Sequence, residues 1–534
     1  MKGFKRFFCV FIAFLLVFLQ GCKKNENENA VPALNSIDDE SVYKNLGEDT
    51  LWLTAWGFDT FNPIATASRA VADCSRLVYD SLFYLDENLC AQGVLAKQYT
   101  VSDDKKTYTI TLDTSFKFHD GTSFSAADAV YTINEIKRLN QKSLFFENVS
   151  NIESVSAGGS DILIIKIISP EPLFINNLSF PIVKNQTPSD TKVEFPIGTG
   201  PYKFVKTTLV RAMYFEENEN YAGKRPTENK MKNAVVTFVP DTETQTYALE
   251  AHQADAACVT AAELANYNPK GAVKTIYYNN RRLTFIGINA SNAALSNDAL
   301  RRAVSYAIDR NDIINSVLFG IGEPTLLPFS TQGFMYPQKY KDVSKHASEA
   351  ESALKDAGWT ADTDSVMYYV GADKKKVRAE VSLLVNSENE ARVQIAGKIT
   401  ESLKQAGIKV NVVSANFETY KSRIESQKYD MYIGEVYMDS SYSTDLLFGA
   451  NAKYSVYTSD ELESAAAKKK SAVGREQTTA VFEQLSDCLA EKMPVVCLYF
   501  GCDALIANNM LGCGEKTVLG NEFANLRMWT KNVK

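Results

Sequence analysis

The sequence predicts an α/β protein with mixed sheets, and three observations support this fold class. Strand patterns alternate with helix patterns from residue 380 to residue 436, as expected for a parallel sheet covered by helices. A strand-turn-strand pattern at 99–112 predicts an antiparallel hairpin elsewhere in the chain. The chain has 534 residues, of which 45% are hydrophobic, so it can form several domains with buried cores.

Residues 1–21 are predicted to be an export signal peptide. Three cations near the start, Lys2, Lys5 and Arg6, precede an apolar stretch from Phe7 to Leu19. This stretch is shorter than the ~20 apolar residues of a membrane-spanning helix and has the length of a signal h-region. The mature protein is therefore expected outside the cytoplasm.

Cys22 is the predicted lipidation site. The run Leu19-Gln20-Gly21-Cys22 resembles the bacterial lipobox, in which a peptidase cleaves before a cysteine that carries diacylglycerol. An ordinary signal peptide followed by a chance cysteine is the alternative. Residues 22–47 begin with a polar run, which we interpret as part of a flexible tether to the folded body. A lipid anchor would hold that body at the outer face of the cytoplasmic membrane.

Composition excludes several classes of function. The net charge of −7 argues against a nucleic-acid partner, because phosphates require a basic face. The 3 histidines are widely scattered, so neither a metal site nor a cofactor is expected. Cysteines beyond Cys22 are odd in number and are interpreted mainly as buried small residues, although a disulfide near the C-terminus stays open.

Local patterns predict the elements of the first half in order. A strand at 49–56 is followed by one helix between Ser68 and Leu82. The hairpin comes next. Ser125, with an acidic residue three positions later, then predicts the N-cap of a helix that ends near Leu139.

The second half is predicted to contain a core helix and a parallel sheet. One helix runs from Ala299 to about Phe319, because its apolar residues fall on one face. Asn297 or Asp298 can cap its start, and Gly320 follows its end. Parallel strands present their carboxyl ends to a crevice, so ligand contacts are expected just after Ile433, where the last strand ends.

A series of motifs resembles, in order, those of the family 5 solute-binding proteins, which are receptors of ABC importers for oligopeptides, dipeptides and nickel. The matching segments are Lys106–Leu112, Phe116–Gly121, Phe124–Val130, Phe195–Phe204, Glu219–Tyr221, Ala248–Asp255, Leu300–Arg310, Glu349–Trp359 and Ile395–Val410. The resemblance covers nearly all of residues 48–530. On this basis the chain is identified as a member of the family.

The resemblance implies a two-lobed periplasmic-binding-protein-like fold of class II, in the large three-subdomain form, with a cleft flanked by hinge strands. Lobe I would be discontinuous, an extra subdomain would pack on it, and lobe II would follow. The ranges are 48–66, 196–288 and 496–534 for lobe I, 67–195 for the extra subdomain and 289–495 for lobe II. The implied function is that of a monomeric receptor, not an enzyme, which captures short peptides by lobe closure and delivers them to ABC permease subunits.

The resemblance also implies a ligand-binding carboxylate. In peptide-binding relatives, the segment that matches residues 434–445 carries an aspartate that pairs with the terminal ammonium of the peptide. Asp439 is the residue aligned to it here, although Glu435 or Asp445 can serve instead. Solvated loop acids are the alternative interpretation.

Aromatic side chains are candidates for further ligand contacts. Tyr437 and Tyr442 can supply stacking or hydroxyl contacts beside the predicted carboxylate. Trp56 and Phe58, at the end of the first strand, can do the same. Core packing is the alternative for each of the four.

Other functions and motifs were weighed against this interpretation. A nickel-chelate or oligosaccharide receptor of the same family stays open. A lipid-anchored hydrolase is disfavoured, because the chain has neither a Gly-x-Ser-x-Gly elbow nor a His-Glu-x-x-His motif. His119 is interpreted as a packed turn residue, and the run Gly198-Thr199-Gly200-Pro201 as a tight crossing between domains, since no Lys-Ser/Thr follows it to form a P-loop.

Overall fold

The computed structural model describes residues 46–188, 195–208, 212–260, 263, 273–344, 347–449, 452–513, 522–523 and 525–532. The predicted signal peptide, Cys22 and the tether up to residue 45 lie outside these residues. In the part of the chain that is described, no helix is both long and apolar enough to cross a bilayer.

Strands and helices alternate along the described chain. The strands are β1 (Thr50–Trp56), β2 (Phe83–Leu85), β3 (Ala91–Gly93), β4 (Ala96–Val101), β5 (Thr107–Leu112), β6 (Ile152–Ala157), β7 (Ile162–Ile167), β8 (Tyr202–Thr207), β9 (Ala212–Glu217), β10 (Asn233–Val239), β11 (Ala256–Val259), β12 (Val273–Ile288), β13 (Glu323–Pro324), β14 (Thr360–Ala361), β15 (Met367–Val370), β16 (Lys376–Arg378), β17 (Glu380–Asn386), β18 (Lys409–Ala415), β19 (Met431–Tyr437), β20 (Val495–Asn508), β21 (Leu511–Gly512) and β22 (Thr530–Lys531). The α-helices are α1 (Arg69–Cys74), α2 (Ala126–Leu139), α3 (Phe146–Val149), α4 (Thr242–Glu250), α5 (Asp298–Ala307), α6 (Arg310–Val317), α7 (Ala347–Asp356), α8 (Glu390–Gln405), α9 (Phe417–Glu425), α10 (Asp460–Lys470) and α11 (Gly474–Lys492). Short 3₁₀ helices cover Ser75–Leu77, Asn140–Lys142, Phe174–Leu178, Gln338–Tyr340 and Leu526–Met528.

Two long strands join the halves of the main sheet. Within the described residues this sheet has 11 strands, in the order β18-β17-β19-β12-β20-β11-β1-β10-β9-β8, with β13 paired to β20. Strands β12 and β20 are antiparallel to each other. One end of β12 pairs with β19, and the opposite end of the β12–β20 pair continues through β11 to β1. These two strands therefore connect the two halves of the sheet.

The parallel unit predicted between residues 380 and 436 is confirmed. Strand β17 pairs in parallel with both β18 and β19, and α8 and α9 form the two crossovers. Buried residues of β17, among them Val381, Leu383 and Val385, pack against the buried face of α8 in one hydrophobic core. The carboxyl end of β19 is thereby fixed at one edge of the fold.

The hairpin and the capped helix of the first half are also confirmed. Strands β4 and β5 are antiparallel and continue through β7 to β6 in a four-stranded sheet of the described chain. Helix α2 begins after Ser125, whose backbone N–H donates to Asp128 at 2.9 Å. This contact is half of the capping box that the sequence predicts.

The single helix predicted from Ala299 to about Phe319 was wrong, because the chain forms two helices, α5 and α6. Asn297 caps α5, and Asp309 caps α6 by accepting from the backbone N–H of Asp312 at 2.9 Å. The guanidinium of Arg310 is buried at the junction and donates to the carbonyl oxygen of Cys497 at 2.9 Å. A contact with a strand nearly two hundred residues away therefore favours the break.

The helix predicted between Ser68 and Leu82 is likewise shorter than expected, since α1 ends at Cys74 and a 3₁₀ turn follows. Asp80, beyond that turn, is buried and accepts from the hydroxyl groups of Tyr221 at 2.9 Å and Thr199 at 3.0 Å. These distant partners hold the chain in a non-helical path.

The glycine run makes the close backbone approach that the sequence predicts, whereas its place between two domains stays a prediction. A Cβ atom on Gly198 would lie 2.0 Å from the carbonyl oxygen of Val78, and the backbone N–H of Gly200 donates to the same oxygen at 2.8 Å. His119 packs at this crossing, where its Nε2 lies 3.1 Å from the carbonyl oxygen of Gly200. Burial lowers the pKa of His119 from 6.5 to about 4.

All described cysteines are free thiols, from Cys74 near the start to Cys513 near the end. The disulfide that the sequence left open near the C-terminus is therefore not formed in this structure.

Candidate functional site

A cavity of about 480 Å³ lies beyond the carboxyl end of β19, where the parallel sheet predicts ligand contacts. One wall comes from the segment after β19, from the last turn of α10 and from the middle of β12. The opposite wall comes from residues 144–151 and 169–179. Its charged lining residues are Arg69, Glu147, Glu171, Arg281, Asp439, Asp445, Lys469 and Lys470.

Asp439 is oriented by its own loop. Its Oδ1 accepts hydrogen bonds from the backbone N–H groups of Ser441 at 3.0 Å and Ser443 at 2.9 Å, and from the hydroxyl of Ser441 at 2.8 Å. Met438 is buried beside it, so the alternation of the strand continues and turns Asp439 outward. No described residue donates to Oδ2, which leaves half of the carboxylate open to a ligand.

The opposite wall carries a second carboxylate, Glu171, held between two amides. Its Oε1 accepts from Asn177 at 2.7 Å, and its Oε2 accepts from Asn151 at 2.8 Å. Burial raises the pKa of Glu171, and the charge of Asp439 across the cavity acts in the same direction. Because both carboxylate oxygens of Glu171 already accept hydrogen bonds, this residue holds the amides of Asn151 and Asn177 in position on the wall.

Lys469 is a buried cation at the base of the cavity. Its ammonium donates to the carbonyl oxygen of Tyr442 at 2.7 Å, which ties α10 to the loop after β19. Burial lowers the pKa of Lys469 to about 8, although the charges of Asp439, Asp445 and Glu171 oppose this shift.

The two walls touch each other directly. The hydroxyl of Ser440 donates to Oδ1 of Asn177. The cavity is therefore bounded on both sides by polar groups in fixed positions. In the described residues, no three His, Cys, Asp or Glu side chains converge as metal ligands would.

The structure brings some of the sequence-predicted site residues to this cavity. Asp439 and Tyr437 line it, as does the alternative acid Asp445. Tyr442 is buried and lines a much smaller adjoining space. Glu435 is not among the lining residues.

Glu435 instead faces two arginines on the surface. It lies 3.4 Å from the guanidinium of Arg282 and 3.6 Å from that of Arg392. Trp56 and Phe58 also lie outside the cavity lining. Phe58 stacks on Phe238, with their ring centroids 3.9 Å apart, and Trp56 is partly exposed at the end of β1.

Several lining residues were not predicted from the sequence. Glu171 and the amides around it belong to a segment without any motif that marks a ligand site. Arg281 does have a signal, because the run Asn279-Asn280-Arg281-Arg282 interrupts an otherwise apolar strand. Such an interruption indicates a bulge, which often redirects a side chain toward a site.

Comparison with known proteins defines the class to which this fold and cavity belong. Residues 91–455 match the bacterial extracellular solute-binding proteins, family 5 Middle. The chain belongs to this family. Its members are solute-binding proteins of ABC transporters, act outside the cytoplasm and catalyse no reaction.

Individual relatives agree in length and fold. The chain is 25% identical over 515 residues to the oligopeptide-binding protein AppA of Bacillus subtilis (strain 168), and the matched region covers 91% of each protein. The murein tripeptide binding protein MppA, in its unliganded open form, has a TM-score of 0.73 at 18% identity and covers 91% of this chain and 98% of that one. NikZ from Campylobacter jejuni, in complex with Ni(L-His), has a TM-score of 0.55 at 23% identity and covers 91% and 100%. At these identities the two structures show the fold alone.

Proposed function

We propose that the protein captures short peptides in the cavity after β19 and delivers them to the permease of an ABC importer. The observation that carries this proposal is a cavity of about 480 Å³ lined by carboxylates, amides and cations on two walls. Small-ligand sites typically occupy ~300–1,000 Å³. The similarity to the oligopeptide-binding protein AppA and to the murein tripeptide binding protein MppA supports the same class of ligand.

Asp439 is the proposed partner of the peptide ammonium. Its Oδ1 is held by three donors of its own loop, so Oδ2 is presented to the cavity in a fixed direction. Once lobe closure excludes water from it, such a charge-assisted pair contributes strongly, and its loss costs roughly 2–5 kcal/mol. The amides of Asn148 and Asn176 on the opposite wall can bind the backbone of the peptide. Tyr437 and Tyr442 are proposed to add contacts with its side chains.

Binding is proposed to act through closure of two lobes. A ligand in this cavity contacts both walls, and only a closed arrangement brings both walls to it. Strands β12 and β20 are the proposed hinge, since both run from one half of the main sheet into the other. The lobe boundaries inferred from the family resemblance are part of this proposal.

A lipid anchor at Cys22 is proposed to keep this monomeric receptor near its permease. The lipobox-like run before Cys22 and the polar residues after it support this placement. Cys22→Ser is expected to move the protein from the membrane fraction to the soluble fraction. A variant that stays in the membrane fraction would contradict lipidation at this residue.

The ligand itself is tested by mass spectrometry of what co-purifies with the protein, followed by calorimetry with the short peptides found. Asp439→Asn is expected to weaken peptide binding at least about 30-fold, the equivalent of about 2 kcal/mol. Asp445→Asn is the matched control, because this acid also lines the cavity but pairs with Lys470 at 2.7 Å. Recovery of a single nickel chelate or oligosaccharide instead of peptides would overturn the proposal.

A further inference from the structure

Arg69, one of the cavity cations, is already neutralised. Its Nε lies 3.2 Å from Asp73, and its Nη2 lies 3.0 Å from Glu522. Two carboxylates on the side away from the ligand therefore compensate this guanidinium.

The two lysines of the cavity also have interaction partners within the protein. Lys470 forms an ion pair with Asp445 at 2.7 Å. The ammonium of Lys469 donates to the carbonyl oxygen of Tyr442 at 2.7 Å and is buried. Lys470 is therefore neutralised, and the Lys469 ammonium, which pairs with no carboxylate of the described chain, is held by a backbone acceptor.

Arg281 differs from these three cations. In the described part of the chain its guanidinium donates no hydrogen bond and pairs with no carboxylate, and its Nε is buried without an acceptor. Among the described residues, the guanidinium is contacted by the ring of Tyr437, whose centroid lies 5.5 Å from the guanidinium carbon. A buried donor without an acceptor is costly, and such groups in folded proteins are normally satisfied. The missing acceptor is expected from a ligand.

The backbone at Arg281 also has an unusual conformation. Arg281 has a φ of 58° and lies where the register of β12 against β20 is interrupted, between Asn279 and Leu283. Its backbone N–H donates to Oδ1 of Asn279 at 2.7 Å, and its carbonyl oxygen accepts from Met438 at 2.9 Å. A left-handed backbone is unfavourable for arginine, and strain of this kind persists where surrounding contacts impose it, often at binding sites.

We propose that Arg281 receives a carboxylate of the ligand, and that the cavity therefore selects short zwitterionic molecules with a free acid group. The bond from Met438 to Arg281 places this cation on the strand next to the one that leads into Asp439. Both side chains line the same cavity, so one ligand can place its ammonium at Asp439 and its carboxylate at Arg281. Guanidinium binds carboxylate through two parallel hydrogen bonds, which fixes the orientation of the ligand.

This inference deepens the proposed function and rests on it for the identity of the ligand as a peptide. Its test offers the full-length protein three sets of probes in competition. They are tripeptides as free acids, the same tripeptides as C-terminal amides, and non-peptide carboxylates such as succinate and benzoate. Bound species are quantified by mass spectrometry and their affinities by calorimetry, for wild type and for the variants Arg281→Gln, Arg281→Lys and Arg282→Gln.

The wild type is expected to bind peptide acids about 10- to 100-fold more tightly than peptide amides. Arg281→Gln is expected to abolish this preference, and Arg281→Lys to retain part of it, because a lysine keeps the charge without the forked geometry. Arg282→Gln should retain the preference, since Arg282 faces Glu435 on the surface. The acid-to-amide ratio is measured within each protein, so a loss of folded material does not change it.

The possible outcomes separate the inference from the proposed function. Peptide binding with an unchanged acid preference in Arg281→Gln overturns the role of Arg281 and leaves peptide capture intact. Binding of non-peptide carboxylates alone, lost in Arg281→Gln, overturns peptide capture and supports the role of Arg281. Binding of no carboxylate of either kind overturns both.

Discussion

The buried ammonium of Lys469 offers the sharpest test of the electrostatics of the cavity. Burial lowers its pKa from 10.5 to about 8 in the folded protein, whereas the unfolded chain should titrate near 10.5. A difference of about 2.5 pKa units corresponds to about 3 kcal/mol. The charged form of Lys469 therefore destabilises the folded state by this amount, relative to a lysine that stays in water.

The sign of the pH dependence follows from proton binding. Between pH 8 and pH 10.5 the unfolded chain retains a proton at this lysine that the folded chain has released. The free energy of unfolding therefore rises with pH through this window, and the destabilisation is fully present below about pH 8. Lys469→Met removes the titrating group at nearly constant length. The unfolding free energy of wild type minus that of the variant should increase by about 2–3 kcal/mol from about pH 7 to about pH 10.

Urea unfolding at the two pH values, followed by fluorescence, measures this difference. Lys470→Met is the control, because it removes the neighbouring cation, which lies at the surface paired with Asp445. A difference for Lys469→Met that stays flat with pH would refute a lowered pKa. A rise of equal size for Lys470→Met would show that any lysine of this turn has the effect.

Two further predictions concern the crossing at Gly198 and His119. Gly198→Ala should lower the free energy of unfolding by at least ~2 kcal/mol, because the added Cβ would lie 2.0 Å from the carbonyl oxygen of Val78. Gly397→Ala is the control. A Cβ at this position in α8 meets nothing within 4 Å, so the substitution should raise the free energy of unfolding by ~0.5–1 kcal/mol. Equal effects in thermal unfolding would contradict this reasoning. The lowered pKa of His119 predicts that the free energy of unfolding falls as pH drops from 6.5 toward about 4, by up to ~3 kcal/mol, since the unfolded chain binds the proton first. His119→Gln should remove that loss between pH 7 and pH 5 in urea unfolding, and an unchanged acid sensitivity would assign it to other groups.

Elements whose determinants are local were predicted well. The capping box at Ser125 and the hairpin of β4 and β5 depend on residues close together in the chain. The strands and helices of the parallel unit were each recognised from local periodicity, although its strands pair with residues far along the chain. Periodicity and capping report such short-range physics directly. Residues that follow Ile433 line part of a cavity wall, and the ligand contacts expected there stay a prediction.

Elements whose determinants are distant were predicted poorly. The apolar face from Leu300 to Leu318 is compatible with one helix, yet the buried guanidinium of Arg310 binds carbonyl oxygens of Thr325 and Cys497. Periodicity carries no information about those acceptors. The same limit applies to Phe58, whose stacking partner Phe238 lies in another strand.

The sequence by itself determined the family resemblance, the polar and acidic character of the segment after β19, and the candidate carboxylate Asp439. Only the tertiary structure decided what faces that carboxylate and which charges remain unpaired. Glu171 meets the cavity from a different part of the chain, and Arg281 is recognised as unpaired only when every neighbouring acid has been located. Burial and ion pairing depend on the three-dimensional arrangement of residues hundreds of positions apart, whereas strand direction and helix capping depend on neighbours along the chain.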